Sequence, residues 1–156
     1  MKLLLLRHAQ AEPGADLDPD RRLTPVGEAQ ARTMAARVGK LLPNAHVVSS
    51  PWLRAAQTGE IIARALGRGV MHVPALTPEG RVSEAAEQLE TCFSDSPALV
   101  VVTHQPLCGQ LLTWLTDGSL HGQAIATCSG ALLELEWPAR GMARQLSWHD
   151  AAAPQA

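Results

Sequence analysis

Four consecutive leucines, Leu3-Leu4-Leu5-Leu6, stand between Met1-Lys2 and the polar pair Arg7-His8. A short continuous apolar run cut off by a polar loop fits a strand buried on both faces, as in a parallel sheet. Ala98-Leu99-Val100-Val101-Val102 is the strongest strand signal in the chain, rich in β-branched residues. Ala45-His46-Val47-Val48 and Val70 to Val73 add two short strands. Between these runs lie helix signals. Thr24-Pro25 predicts a helix start, with Thr24 as N-cap, Pro25 at the first position and Glu28 bonding back to the cap. Its stripe of Ala29, Met34, Val38, Leu41 and Leu42 ends before Pro43.

Ser50-Pro51 repeats the cap-and-proline pair for a helix to about Leu66, which Gly67 and Gly69 end. Ser83-Glu84 opens a third helix whose Ala86, Leu89 and Phe93 face inward, and Thr103-His104-Gln105-Pro106 leads into a fourth reaching about Thr116. Residues 9–23 and 74–82 read as loops. Ala131 to Trp137 and Ala143 to Trp148 alternate as two strands around a turn at Pro138 to Gly141. Strand and helix alternating in this way predict an α/β fold, three layers α/β/α around a mainly parallel central sheet. One domain over residues 1–150 is expected, with 151–156 as a disordered Ala-Pro-Gln tail. The 156 residues, 46% hydrophobic, suffice to bury one core.

A net charge of -2 argues against bulk attraction to nucleic acid or to an anionic membrane. The apolar start stops at Arg7, too soon for a secretory leader, and no stretch approaches the ~20 apolar residues of a membrane span. A cytoplasmic location is the expectation. Cys92, Cys108 and Cys128 are far apart and lack metal or redox spacing, so buried free thiols are expected. Asp16-Leu17-Asp18-Pro19-Asp20 resembles a calcium loop only superficially, because Arg21 stands where the turn glycine belongs. No metal and no cofactor are expected. His46, His72, His121 and His149 have no partners at ligand spacing and read as surface or structural residues, and Trp52 reads as part packing and part pocket rim.

Ligands of parallel α/β sheets bind beyond the carboxyl ends of the strands. The first strand ends in Arg7-His8, the second leads through Ser49-Ser50-Pro51 to Arg54, and the strongest strand ends in Thr103-His104. Two imidazoles, two guanidiniums and a helix N-terminus suit a doubly charged oxyanion, phosphate above all. Arg supplies all but Lys2 and Lys40 of the thirteen Lys and Arg residues, and Arg is the bidentate phosphate ligand. Imidazole attacks phosphorus when it is neutral and held in one tautomer. Either His8 or His104 could attack, while the other, kept protonated by the phosphate, would stabilise charge on the transferring oxygens.

The blocks Leu6-Arg7-His8-Ala9, Leu23-Thr24-Pro25-Val26-Gly27, Ser50-Pro51-Trp52-Leu53-Arg54-Ala55-Ala56-Gln57-Thr58 and Thr103-His104-Gln105-Pro106-Leu107 resemble the histidine phosphatase superfamily in order and spacing, from residue 1 to about 137. The short length and Leu76-Thr77-Pro78-Glu79-Gly80 are most similar to its small SixA-type phosphohistidine phosphatases. The resemblance implies a phosphoglycerate mutase-like fold and a metal-independent phosphohydrolase. It makes His8 the phosphorylated nucleophile, Arg7 and Arg54 phosphate clamps, His104 the second phosphate-contacting imidazole and Arg21 an auxiliary clamp. It implies a protein that dephosphorylates histidine on a phosphotransfer domain or phosphocarrier; a monomer is the expectation.

Two departures from the superfamily pattern bear on this. Ala9 stands where the commonest motif has Gly, which a positive φ or a close phosphate would favour. A general acid is also not evident; the local candidates are Glu79 and Glu84. Imidazole, with an ordinary pKa near 6.5, leaves far more readily than an alkoxide, so a missing acid suits a phosphohistidine substrate. The rival readings are a small-molecule phosphomonoesterase using Glu79 or Glu84, and a phosphoprotein-binding module without turnover. Arg21 and Arg22 have a rival role as well, pairing with Asp18 and Asp20.

Overall fold

A computed structural model describes residues 1–14 and 16–151. Leu3 to Leu6 do form a strand buried on both faces. Strand β1 (Lys2–Arg7) lies between β4 (Ala98–Thr103), parallel to it, and β5 (Ser129–Leu135), antiparallel to it. β2 (His46–Ser49) and β3 (Val70–His72) extend the parallel side, and β6 (Ala143–Asp150) closes the antiparallel side. The sheet order is β3-β2-β4-β1-β5-β6.

Side-chain alternation sorts the core into two halves. Leu4, Leu6, Val100 and Val102 pack with Met34 and Val38 of α1 (Pro25–Leu41) and Ile62 of α2 (Leu53–Ala65). Leu3, Leu5, Leu99 and Val101 pack with Leu89 of α3 (Val82–Asp95) and Leu111 of α4 (Leu107–Asp117). The result is the three-layer α/β/α arrangement with a mostly parallel sheet. Each fully buried leucine contributes about 1.5–3 kcal/mol relative to exposure. Cys92, Cys108 and Cys128 are buried free thiols.

Several local expectations need correction. Thr24 caps α1, accepting from Gly27 N at 2.9 Å, but the reciprocal bond from Glu28 does not form. The third helical position is Gly27, one residue before Glu28, and the Thr24 N–H is taken by Gln10 O at 3.1 Å. A Cβ on Gly27 would lie 2.0 Å from that same Gln10 oxygen, so the loop-to-helix approach requires glycine. Ser50-Pro51 does not start α2, which begins at Leu53 with Trp52 as the residue before it. The Ser50 hydroxyl instead accepts from Trp52 N at 3.1 Å within a turn. The fifth strand lies two residues earlier than expected, leaving Trp137 exposed beyond it. Ala151 N donates to Cys128 O at 3.2 Å, and residues 152–156 of the expected tail lie outside the described residues.

Candidate active site

Strand register builds the site. Arg7 and Thr103 are paired across β1 and β4, so His8 and His104 are the next residues at two adjacent strand ends. His8 N donates to Thr103 O at 2.9 Å, and Ser50 N donates to Val102 O at 3.0 Å, which carries the end of β2 to the same edge. The two imidazole centroids lie 5.1 Å apart. Both rings are buried, His8 at 6% and His104 at 1% exposure. A parallel sheet thus joins residues almost a hundred positions apart.

His8 has a defined tautomer. Its Nδ1 lies 2.7 Å from Ala9 O, which can only accept, so the proton resides on Nδ1 and Nε2 presents a lone pair. Arg54 Nε donates to that Nε2 at 3.3 Å. Burial, assisted by the charges of Arg54, Arg7 and Arg21, overrides the Ala9 bond and pushes the ring pKa down from 6.5 to about 4. A neutral imidazole with an unprotonated Nε2 is the nucleophilic form, and here a phosphoryl group would have to take the place of the Arg54 bond. His104 is also neutral: burial first, then His8 and Arg54, lower it to about 2. Its Nε2 lies 2.8 Å from Ser50 Oγ, and its Nδ1 is buried without a protein partner among the described residues.

The guanidiniums surround these rings. Arg54, in the first turn of α2 and 4% exposed, also donates through Nη1 to Asp18 O at 2.9 Å and through Nη2 to Asp18 Oδ2 at 3.3 Å. Arg7 Nη1 donates to Ile125 O at 2.8 Å, while its buried Nε has no protein partner among the described residues. Desolvation dominates the lowering of both arginine pKa values. Arg21 stands nearby, donating to Glu12 O at 2.6 Å and to Asp18 Oδ1 at 3.0 Å, so it pairs with Asp18 as the alternative reading had it. The Arg54 guanidinium lies 5.2 Å from the Trp52 ring centroid, and Trp52 meets His104 at 5.6 Å, edge to face.

Ala9 is accommodated without strain. Among the described residues the non-glycine with positive φ is Cys128, and Ala9 N donates to Thr58 Oγ1 at 3.0 Å. Thr58 Oγ1 donates in turn to Arg54 O at 2.8 Å, one turn earlier on α2. Glu79 and Glu84 are both exposed, and among the described residues neither hydrogen-bonds any of these groups. Residue patterns gave no role to Asp18 as a bridge between two arginines, to Thr58 as a strut or to Ser50 as a partner of His104. Asp18 was visible only as a possible ion partner, and the Ser-Pro pair pointed to capping instead. No cluster of three His, Cys, Asp or Glu positioned to hold a metal ion occurs among the described residues.

Residues 3–79 match the family model described as the histidine phosphatase superfamily, branch 1. A protein of Picosynechococcus is 38% identical over 115 residues, covering 70% of each chain. The chain belongs to the histidine phosphatase superfamily. A phosphohistidine phosphatase SixA homolog of Haemophilus influenzae is 25% identical over 126 residues, 74% of this chain and 77% of that one. Over the whole fold, the chain is similar to the protein histidine phosphatase SixA solved with tungstate: TM-score 0.85, 28% identity and 97% of each chain covered. The superfamily match ends before His104. Pairing of β1 with β4 connects the matched part to that second histidine.

Proposed function

We propose that this superfamily member is a metal-independent phosphohydrolase that accepts a phosphoryl group on His8 Nε2, and that its substrate is phosphohistidine on another protein. The observation that carries the reading is the pairing of a lone-pair donor with an anion cradle. His8 holds its proton on the side of Ala9 O and meets Arg54 Nε at Nε2, while the charge of Arg7 and the ring of His104, 5.1 Å away, stand close by; Arg7 Nε and His104 Nδ1 have no protein partner among the described residues. Oriented cations and N–H groups suit the charge that develops on transferring phosphoryl oxygens.

In the first step the His8 Nε2 lone pair forms a bond to phosphorus as the bond to the leaving imidazole breaks, and a substrate ring already protonated on its other nitrogen departs as neutral imidazole. In the second, water attacks phospho-His8, releasing inorganic phosphate and restoring the His8 lone pair. Glu79 and Glu84 are exposed and, among the described residues, hydrogen-bond neither imidazole, which suits a leaving group that needs little acid assistance. The relative named as a phosphohistidine phosphatase homolog supports the same substrate class. The partner is a phosphotransfer domain or phosphocarrier, met by a monomer in the cytoplasm.

Rapid quenching of wild type and His8→Ala with phosphohistidine-bearing and phosphoserine-bearing proteins tests this. An acid-labile phosphoenzyme from phosphohistidine, lost in His8→Ala, is expected. Full turnover by His8→Ala overturns the mechanism. Preference for phosphoserine or a small phosphomonoester, lost on Glu79→Gln or Glu84→Gln, assigns the chain to that rival substrate class. Phosphate binding without hydrolysis makes it a binding module.

A further inference from the structure

We propose that Ser50 is a positioning residue that selects the tautomer of His104. It donates its hydroxyl proton to Nε2, so that the ring proton sits on Nδ1 and faces the transferring phosphoryl group. The inference rests on the phosphoryl-transfer reading above and adds a residue to it.

Ser50 is fully buried, so its hydroxyl must find its partners within the protein. Among the described residues two groups hydrogen-bond Oγ: Trp52 N at 3.1 Å and His104 Nε2 at 2.8 Å. The Trp52 N–H can only donate, so it occupies an oxygen lone pair. That leaves one hydroxyl hydrogen and one imidazole nitrogen facing each other. If Nε2 carried the ring proton, Oγ would accept twice and its own hydrogen would be buried without a partner, a costly arrangement. If the hydroxyl donates, both Oγ and Nε2 are satisfied. A neutral ring then has to carry its proton on Nδ1.

Nδ1 is buried with no protein partner among the described residues. Its character decides whether the cradle attracts or repels an oxyanion: a lone pair there would face negative oxygens, whereas an N–H donates to them. Ser50 therefore sets the sign of the contact without charging the ring, which burial keeps neutral in the free protein. The chain of donors runs from Trp52 N–H to Ser50 Oγ–H to His104 Nε2, and from Nδ1–H outward. It mirrors His8, where Ala9 O holds the proton on Nδ1 and leaves Nε2 unprotonated. Opposite polarities on the two rings follow from one acceptor and one donor. The turn at Ser50-Pro51 places that hydroxyl before α2, which begins at Leu53.

Two-bond proton–nitrogen spectra of the histidine side chains in phosphate-free buffer test this in the free protein. For wild-type His104 they should show a protonated Nδ1 and a pyridine-type Nε2. In Ser50→Ala the Nδ1–H form should be depleted, and kcat on a phosphohistidine-bearing protein should fall roughly tenfold to a hundredfold, more than KM rises. A wild-type ring protonated on Nε2 overturns the inference, and so does a folded Ser50→Ala with unchanged kcat and tautomer. The wild-type spectrum needs no variant, so it decides even if Ser50→Ala fails to fold. A wild type that hydrolyses no phosphorylated substrate counts against the phosphatase reading, while its His104 tautomer still decides the role of Ser50.

Discussion

Arg54 spreads one guanidinium over three acceptors from two chain segments: His8 Nε2, Asp18 O and Asp18 Oδ2. A planar fork reaches all three at once, and a lysine ammonium cannot. Arg54→Lys is therefore expected to keep the positive charge yet lower kcat/KM on a phosphohistidine-bearing protein by on the order of 100-fold, the loss typical of one electrostatic donor to a developing oxyanion. A loss below about threefold, well short of that magnitude, would show that charge alone suffices. The imidazole it touches makes a separate prediction. His8 titrates at 6.5 when unperturbed and at about 4 in the fold. Above pH 6.5 the ring is neutral folded and unfolded alike, and its titration contributes no difference. Between 6.5 and about 4 the unfolded chain takes up a proton that the native ring refuses, so the native state loses stability as pH falls. His8→Ala removes this term. In phosphate-free buffer its melting temperature should fall less than that of wild type between pH 7 and 4, and parallel curves would refute the assignment.

Elements bring these residues together, and here the limits of sequence reasoning have physical causes. Leu3 to Leu6 and Ala98 to Val102 announce inner strands because neither has a polar face, and once they are parallel neighbours His8 and His104 must share an edge. Arg54 was legible for the same reason, as a helix residue just past a strand end. Asp18 was not: its role depends on a loop folding back 36 residues along the chain to meet Arg54, and no periodicity encodes that. Ser50-Pro51 carries the residues of a helix cap, but a hydroxyl that already receives the Trp52 N–H and faces an imidazole is used in a turn. The segment after α4 was equally silent, although its Ile125 carbonyl anchors Arg7. Gly109 lets it approach: a Cβ there would stand 2.1 Å from Gln123 O, the oxygen that Gln105 Nε2 also holds at 2.8 Å. Gly109→Ala should therefore push this segment away from α4, lowering stability by about 1–3 kcal/mol as overpacking does. It should also loosen the Arg7 anchor, reducing kcat/KM. Gly39→Ala, on the exposed side of α1 with nothing within 4 Å, provides the contrast and should stabilise by about 0.5–1 kcal/mol without altering activity. Denaturant unfolding and turnover of both variants check the pair; equal effects would mean that the approach at Gly109 is not limiting.

At the scale of the whole molecule the two edges of the sheet differ in kind. The carboxyl edge collects His8, His104, Arg7 and Arg54. At the opposite edge a cavity of about 430 Å³ is lined by the strand starts His46, Val70 and Leu99 together with Arg68, Cys92 and Asp95. That cavity has room for a small ligand; the convergence of cationic and N–H donors directs an anion to the other edge. Ligand-linked stability separates the two, because an anion bound only by the native state raises stability by RT ln(1 + [L]/Kd), about 2.7 kcal/mol at a hundredfold excess over Kd. For a domain of this size that is roughly 5–10 °C in melting temperature. Tungstate, found with the SixA structure of similar fold, is a suitable tetrahedral probe. Its stabilisation of wild type should rise with the logarithm of concentration, persist in Arg68→Ala and vanish in Arg54→Ala. Because Arg54→Ala also removes a buried cation and its three bonds, its own melting temperature changes; the quantity that decides is the increment added by tungstate within each variant. An increment lost in Arg68→Ala and kept in Arg54→Ala would place the anion at the opposite edge, and the phosphoryl chemistry assigned to His8 would lose its cradle.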